Sequence, residues 1–312
     1  MNVHLYKPEQ HSGIVPFKNR FDRPMLAEHG VAMSDYEDAD IVVSIMQPPL
    51  EVLRKFQQDR KHILIWTHEP RLDTGSRVRE EPEGIRIHAM TACTGDVYTD
   101  ALAMYGSMMD RELPLVDKAE FFPGKKCAAI MTNKAGYPAM VVDGPNADLW
   151  EMRREYVMWG HAHGHVDVYG RRWPKGMAIE DSYRPSPYAR KQQILKGYDF
   201  NFCPENTDLP YLMTEKIFHA IGNACLPVYI GGAGTLHELF PEGTVFDMRL
   251  YASPEQLFAA IQAMTLVEWH ERMNACITVW NEAVRLGLPR KSRDRMILGL
   301  LKRLKEICDE PT

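Results

Sequence analysis

Short apolar runs rich in β-branched residues alternate along this chain with segments whose apolar positions recur at helical spacing. "ADIVVSIM" (39–46) and "HILIWT" (62–67) have the composition of buried strands, and "PPLEVLRKFQQDR" (48–60) between them reads as a helix. That order predicts β-α-β connections and a parallel sheet. "FFPGKK" (121–126) then interrupts the pattern with a Pro-Gly turn flanked by basic residues. A second alternation follows: "CAAIMTN" (127–133), a helix over "ADLWEMRREYVMWGHA" (147–162), and the strand "HVDVYG" (165–170). At 312 residues the chain is long for a single core. The expected architecture is therefore α/β, with two domains facing each other across a cleft. The boundaries read as 1–122, 123–286 and a basic terminal helix over 287–312.

Composition narrows the class. With 45% hydrophobic and 25% charged residues the chain resembles an ordinary globular protein. Its formal charge of −5 argues against a nucleic-acid partner. No apolar run reaches bilayer-spanning length. The opening "MNVHLYKPEQHSG" lacks a signal-peptide core and reads as a short strand entering a loop. Six cysteines are scattered without a CxxC pair, which suits reduced thiols in a cytoplasmic protein and provides no zinc signature.

The stretch "YDFNFCPENTDLPYLMTEKIFHAIGNACLPVYIGG" (198–232) carries the chemistry. "YDFNFC" alternates like a strand, and Ile217, Phe218 and Ile221 recur like one face of a helix. Thr214 is the expected N-cap, with Glu215 and Lys216 in the first turn. A lysine there opposes the helix dipole unless an anion lies beside it. Amides, dipole and ammonium together would hold a phosphate group, and Glu205 or Glu215 would accept hydrogen bonds from ribose hydroxyls or a base edge. The plainer alternative is a solvated first turn.

This stretch resembles the donor-binding motif of the α-1,3/1,4-fucosyltransferases, in which an aromatic-rich strand leads to F-E-N-S/T, then Y-x-T-E-K, a helix and V/I-P-V/I-x-x-G. "VDVYGR" (166–171), "WTHEP" (66–70) and "MTACTGDVYTDALAMYG" (90–106) are similar to further segments of that family. The chain departs from the pattern at Leu212, where the tyrosine is displaced to Tyr211, at Pro204 before Glu205, and at "HEPR", which lacks the serine. The resemblance implies a GT-B-type enzyme with two Rossmann-like domains, the first binding a glycan acceptor and the second GDP-fucose. It further implies an inverting transfer that needs no cofactor and no bound metal. The implied base is Glu69, at the expected carboxyl end of a strand. The implied donor-binding set is Arg153 or Arg154, with Glu205, Asn206, Tyr211, Thr214, Glu215 and Lys216. An α-1,3-type linkage to a GlcNAc-type residue is the expected product. Two alternatives remain open: another nucleotide-sugar donor on the same fold, or a catalytically silent glycan- or nucleotide-binding protein.

Two other features have competing readings. "HAHGH" (161–165) could chelate a metal through alternating histidines, but Gly164 breaks the run, which favours a turn. The tail "LPRKSRDRMILGLLKRLKEICDEPT" (288–312) is a basic amphipathic helix. Packing across both domains is its first reading, and peripheral contact with the inner face of a membrane is the second.

Overall fold

Among the described residues, the β-branched runs pair into two six-stranded sheets. The computed structural model describes residues 3–7, 16–17, 22–142, 144, 146–180 and 187–310. The loop expected after the first strand (8–13) lies outside the described residues. The chain divides into one unit of Met1–Met104 with Arg290–Thr312, and a second of Tyr105–Pro289.

The first unit contains β1 (Val3–Tyr6), α1 (Asp22–Glu28), β2 (Val31–Met33), β3 (Ile41–Ser44), α2 (Leu50–Gln58), β4 (His62–Thr67), β5 (Val78–Glu81) and β6 (Ile85–Thr91). Its sheet runs β2-β1-β3-β4-β6-β5, parallel except where β5 pairs antiparallel with β6. Val42, Ile63, Ile65 and Ile87 pack beneath Leu53 and Phe56 of α2. Burial on both faces of β3 and β4 explains their uninterrupted apolar sequences.

The second unit contains β7 (Cys127–Ile130), α3 (Trp150–Ala162), β8 (Val166–Tyr169), β9 (Ala178–Glu180), α4 (Pro187–Leu195), β10 (Phe200–Phe202), α5 (Glu215–Gly222), β11 (Leu226–Tyr229), α6 (Leu236–Leu239), β12 (Phe246–Asp247), α7 (Pro254–Ala263) and α8 (Leu266–Arg285). All strands are parallel, in the order β12-β11-β10-β7-β8-β9. From β7 the chain crosses through α3 to β8 on one side, and it later returns through α4 to β10 on the other. The strand order therefore reverses between β7 and β10, and ligands of open α/β sheets bind at the carboxyl ends of strands beside such a switch point. Right-handed crossovers in opposite directions put α3 on one face of the sheet and α4 with α5 on the other. At the end of β8, Gly170 (φ +119°) passes so near β7 that a Cβ would stand 2.4 Å from the Met131 carbonyl oxygen. That approach explains the glycine of "VDVYGR".

The division differs from the one expected near residue 122. Residues 105–121 carry no periodic pattern, but they are strapped along α8: the Leu113 and Val116 amides donate to Asn281 and Asn274 at 2.7 and 2.8 Å, and the Trp280 indole donates to the Arg111 carbonyl at 2.8 Å. The second unit therefore starts at Tyr105. The terminal helix α9 (Leu288–Cys308) is no separate element either. From Arg290 it belongs to the first unit, where Met296, Ile297, Leu300, Leu301 and Leu304 are buried. Arg293 pairs with the buried Asp22, and Arg303 donates to His88 at 3.0 Å. Among the described residues, no helix is long and apolar enough to cross a membrane.

Candidate functional site

The cluster at the switch point is organised around one buried carboxylate. β10 ends at Phe202, and the Glu205 amide still donates to Ile230 at 2.8 Å, which locks the residue beside the end of β11. Glu205 has no exposed surface. One of its oxygens accepts from the Thr214 amide, the Thr214 hydroxyl and the Tyr229 phenol at 2.8, 2.9 and 3.0 Å; the other accepts from the Thr214 hydroxyl and the Lys216 ammonium at 2.8 and 2.9 Å. A Cβ on Gly231 would lie 2.5 Å from Glu205 Cγ and 2.6 Å from the Tyr229 hydroxyl, so only glycine fits beside this brace. The expected contact of Glu205 with ribose hydroxyls finds no open face here. The carboxylate instead fixes Thr214 and Lys216.

Thr214 is the N-cap of α5 in position, extended at φ −106°, but its hydroxyl makes no cap hydrogen bond. It is drawn to Glu205 and accepts from Lys216 at 2.7 Å. Lys216 is thereby held at the helix start, with Glu215 3.4 Å away. Burial depresses the Lys216 ammonium, but Glu205 and Glu215 outweigh it and raise it. Burial likewise pushes the Glu215 carboxyl up, and Lys216 and Lys191 more than reverse this, bringing it to about 2. Both groups stay charged at neutral pH.

From the other face of the sheet, Arg153 of α3 reaches the same place. It is buried, donates to the Asn206 side chain and lies 3.6 Å from Met131 Sδ. Burial draws its guanidinium down to about 10, opposed by Glu205 and Glu215. The neighbouring Arg154 is half-buried and faces Glu151 at 3.9 Å. The structure brings Arg153 to the cluster and leaves Arg154 outside it, because successive helical residues point about 100° apart. Tyr211 is also turned away: its backbone is left-handed (φ +57°), its amide donates to Thr235 at 2.8 Å and its hydroxyl to Glu238 at 3.4 Å.

Glu69 occupies the analogous position in the first unit, two residues beyond the end of β4. It is exposed, its amide donates to Thr67 at 3.1 Å, and its carboxylate lies 3.7 Å from His68. The histidines of "HAHGH" are otherwise engaged: His161 faces the Val166 carbonyl at 3.3 Å, His163 stacks on Trp159 at 3.9 Å, and His165 stacks on Phe258 at 5.7 Å. Gly164 makes the turn at φ +77°.

Three contributors escaped the sequence reading. Tyr229 ends a strand that reads as plain core, although a phenol in an apolar strand needs a hydroxyl partner. Lys191 on α4 lies within electrostatic reach of Glu215, Lys216 and Glu205. His219, one turn beyond Lys216, is buried, and among the described residues both its ring nitrogens are unpartnered. Counting Arg153, Lys191 and Lys216 against Glu205 and Glu215, the cluster has one positive charge in excess.

A cationic, buried cluster at the switch point of a parallel sheet is an arrangement in which α/β proteins hold anionic ligands. The sequence profile of glycosyltransferase family 10 (fucosyltransferase), C-terminal region, matches residues 132–308, and the chain belongs to that family. It is 29% identical over 123 residues to a 4-galactosyl-N-acetylglucosaminide 3-alpha-L-fucosyltransferase of Homo sapiens, and equally to that of Pan troglodytes. Each match takes in 39% of this chain and 30% of the relative, so the chain spans under a third of the curated relatives it matches. A crystal structure of an alpha1,3-fucosyltransferase superposes with a TM-score of 0.51 at 15% identity, covering 100% of this chain and 91% of that one. A crystal structure of an alpha1,3-fucosyltransferase with GDP superposes with a TM-score of 0.50 at 16% identity, with the same coverage. At these identities the likeness shows a shared fold.

Proposed function

We propose that the protein is an inverting glycosyltransferase that moves L-fucose from GDP-fucose to a hydroxyl of a glycan, forming an α-1,3-type linkage on a GlcNAc-type residue. The observation that carries this reading is the Lys216–Glu205–Thr214 brace with Arg153 and Asn206 at the switch point, in a family 10 chain. As the bond between the sugar's anomeric carbon and GDP breaks, negative charge grows on the departing diphosphate. Lys216, Arg153 and the amides at the start of α5 are fixed cations and dipoles placed to meet it. They supply in protein groups what a divalent ion would otherwise supply, so the reading needs no bound metal. Glu69 is the base in this reading. Exposed at a strand's carboxyl end, it takes the acceptor hydroxyl's proton as that oxygen attacks the face opposite GDP. The reduced cysteines suit a cytoplasmic setting. Membrane contact would fall to the exposed cations of α9 (Lys291, Arg295, Lys302 and Lys305), since its apolar face is buried.

Incubation with GDP-fucose and an N-acetyllactosamine-type acceptor in EDTA tests the whole reading. Fucosylated product with inverted anomeric configuration is expected. Transfer that vanishes in EDTA and returns with manganese would defeat the protein-cation account, and transfer only from a different nucleotide sugar would replace the donor.

A further inference from the structure

Beside the donor cluster lies a second polar group that the mechanism above does not use. α4 and α5 run side by side on one face of the sheet, and the rings of Tyr188 and His219 sit 4.9 Å apart between them. His219 is only 7% exposed, yet among the described residues neither ring nitrogen has a partner. Burial, followed by Lys191, draws its imidazole down to about 3, so the ring is neutral with one N–H to donate. Lys191 is partly buried, and no hydrogen bond or ion pair ties its ammonium among the described residues. Burial lowers this lysine too, with Glu215 opposing and Lys216 reinforcing.

An unpartnered buried imidazole and an unpaired ammonium are each costly in a folded protein. Here they stand together, one helical turn from Lys216, where two helices on the same sheet face begin. Lys216 itself is largely committed to Glu205, Thr214 and Glu215. A diphosphate has two charged groups to satisfy, and Lys216 with Arg153 leaves acceptors over. We propose that Lys191 and His219 form a further phosphoryl-binding arm of the donor site, with Lys191 neutralising and His219 donating to a phosphoryl oxygen of the nucleoside diphosphate. This rests on the donor reading above, and both residues act by positioning the leaving group.

The test measures binding of GDP, guanosine and inorganic pyrophosphate to the wild-type chain and to Lys191→Met, Lys191→Arg, His219→Leu and His219→Gln, together with unliganded melting temperatures. Losing a charged hydrogen bond typically weakens binding by about tenfold to a hundredfold. Lys191→Met is expected to weaken GDP and pyrophosphate in that range, and His219→Leu by about three- to tenfold. Guanosine should be unchanged, and the arginine and glutamine variants should recover part of the loss. Because the His219 ring lacks a hydrogen-bond partner among the described residues, unliganded melting should hold or rise in His219→Leu. A merely structural pair would behave oppositely: melting would fall, and GDP and guanosine would weaken alike, which overturns the proposal. So would wild-type affinity for GDP and pyrophosphate in both variants. If the wild type binds pyrophosphate through Lys191 but GDP no better than other nucleoside diphosphates, the guanosine reading fails and this arm stands. If it binds neither GDP nor pyrophosphate, both fail.

Discussion

Glu69 and Glu205 each follow a parallel strand by two or three residues, one in each sheet, and they could hardly differ more in environment. The Glu69 side chain is 57% exposed, and the His68 ring lies 3.7 Å from its carboxylate. Glu205 is wholly buried and accepts from a backbone amide, two hydroxyls and an ammonium. The carboxyl end of a strand is where α/β proteins place functional groups, but it does not say what the group does. An acid left accessible can take a proton from a substrate. One enclosed by four donors has no free lone pair for chemistry, and its job is to hold those donors in place. The difference predicts that changing Glu69 should damage turnover alone, whereas changing Glu205 should damage the fold and the donor site together.

The largest effect is expected from Glu69→Gln, which should lower turnover by about two to four orders of magnitude. GDP affinity and melting temperature should stay near wild type. Steady-state kinetics paired with GDP titration would check this, and a loss smaller than about tenfold would move the base elsewhere and dissolve the contrast.

Glu205→Gln comes next. It keeps the shape but leaves the Lys216 ammonium without its principal counter-charge. Breaking a buried pair from one side costs about 3–5 kcal/mol, so chemical denaturation should show a loss of that order, with GDP binding impaired in whatever remains folded. Wild-type stability would mean that the carboxylate is not the brace its contacts describe.

A smaller loss, about 1–3 kcal/mol, is expected for Tyr229→Phe, which removes one donor to a buried acceptor. Turnover of the folded fraction should survive, since Lys216 and Thr214 remain. A mutant with intact stability but lost GDP binding would instead make Tyr229 a ligand contact.

The effect that is smallest at neutral pH appears only in acid. The folded imidazole of His219 is depressed to about 3, so below about pH 6.5 the unfolded chain takes up a proton that the folded chain refuses. Stability from this group is complete above pH 6.5 and is lost as pH falls toward 3, at about 1.4 kcal/mol per pH unit. Lys191 and Lys216 face the ring and reinforce the effect, while Glu215 opposes it. The slope of stability between pH 6 and 5 should be shallower in His219→Leu. Glu69→Gln, in the other unit, should leave that slope untouched.

Legibility in the sequence followed local pattern. The strands β3, β4, β7, β8, β10 and β11 and the helices α2, α3 and α5 stood out because burial imposes a period on them. The edge strands did not: β5 reads "VREE", and β12 is two residues long. Neither buries enough side chain to need an apolar run. The connector over 105–121 was placed in the wrong unit because its ties to α8 run through Asn274 and Asn281, more than 150 residues away. In the site, the ordered motif from Glu205 to Lys216 was readable, but the choice between Arg153 and Arg154 was not. Adjacent helical residues differ only in the face they present, and that face is set by what packs against it.

By itself the sequence determined the α/β class, the presence of two sheets and the ordered stretch from Glu205 to Lys216, because strand and helix periods and a contiguous loop are written in neighbouring positions. The tertiary structure alone decided that Glu205 is a brace and that Arg153 is the inward arginine. It alone returned α9 to the first unit and set Lys191 beside His219. Each of these depends on which distant group removes water from a side chain and which one, if any, replaces the lost hydrogen bond, and neither can be read from neighbours along the chain.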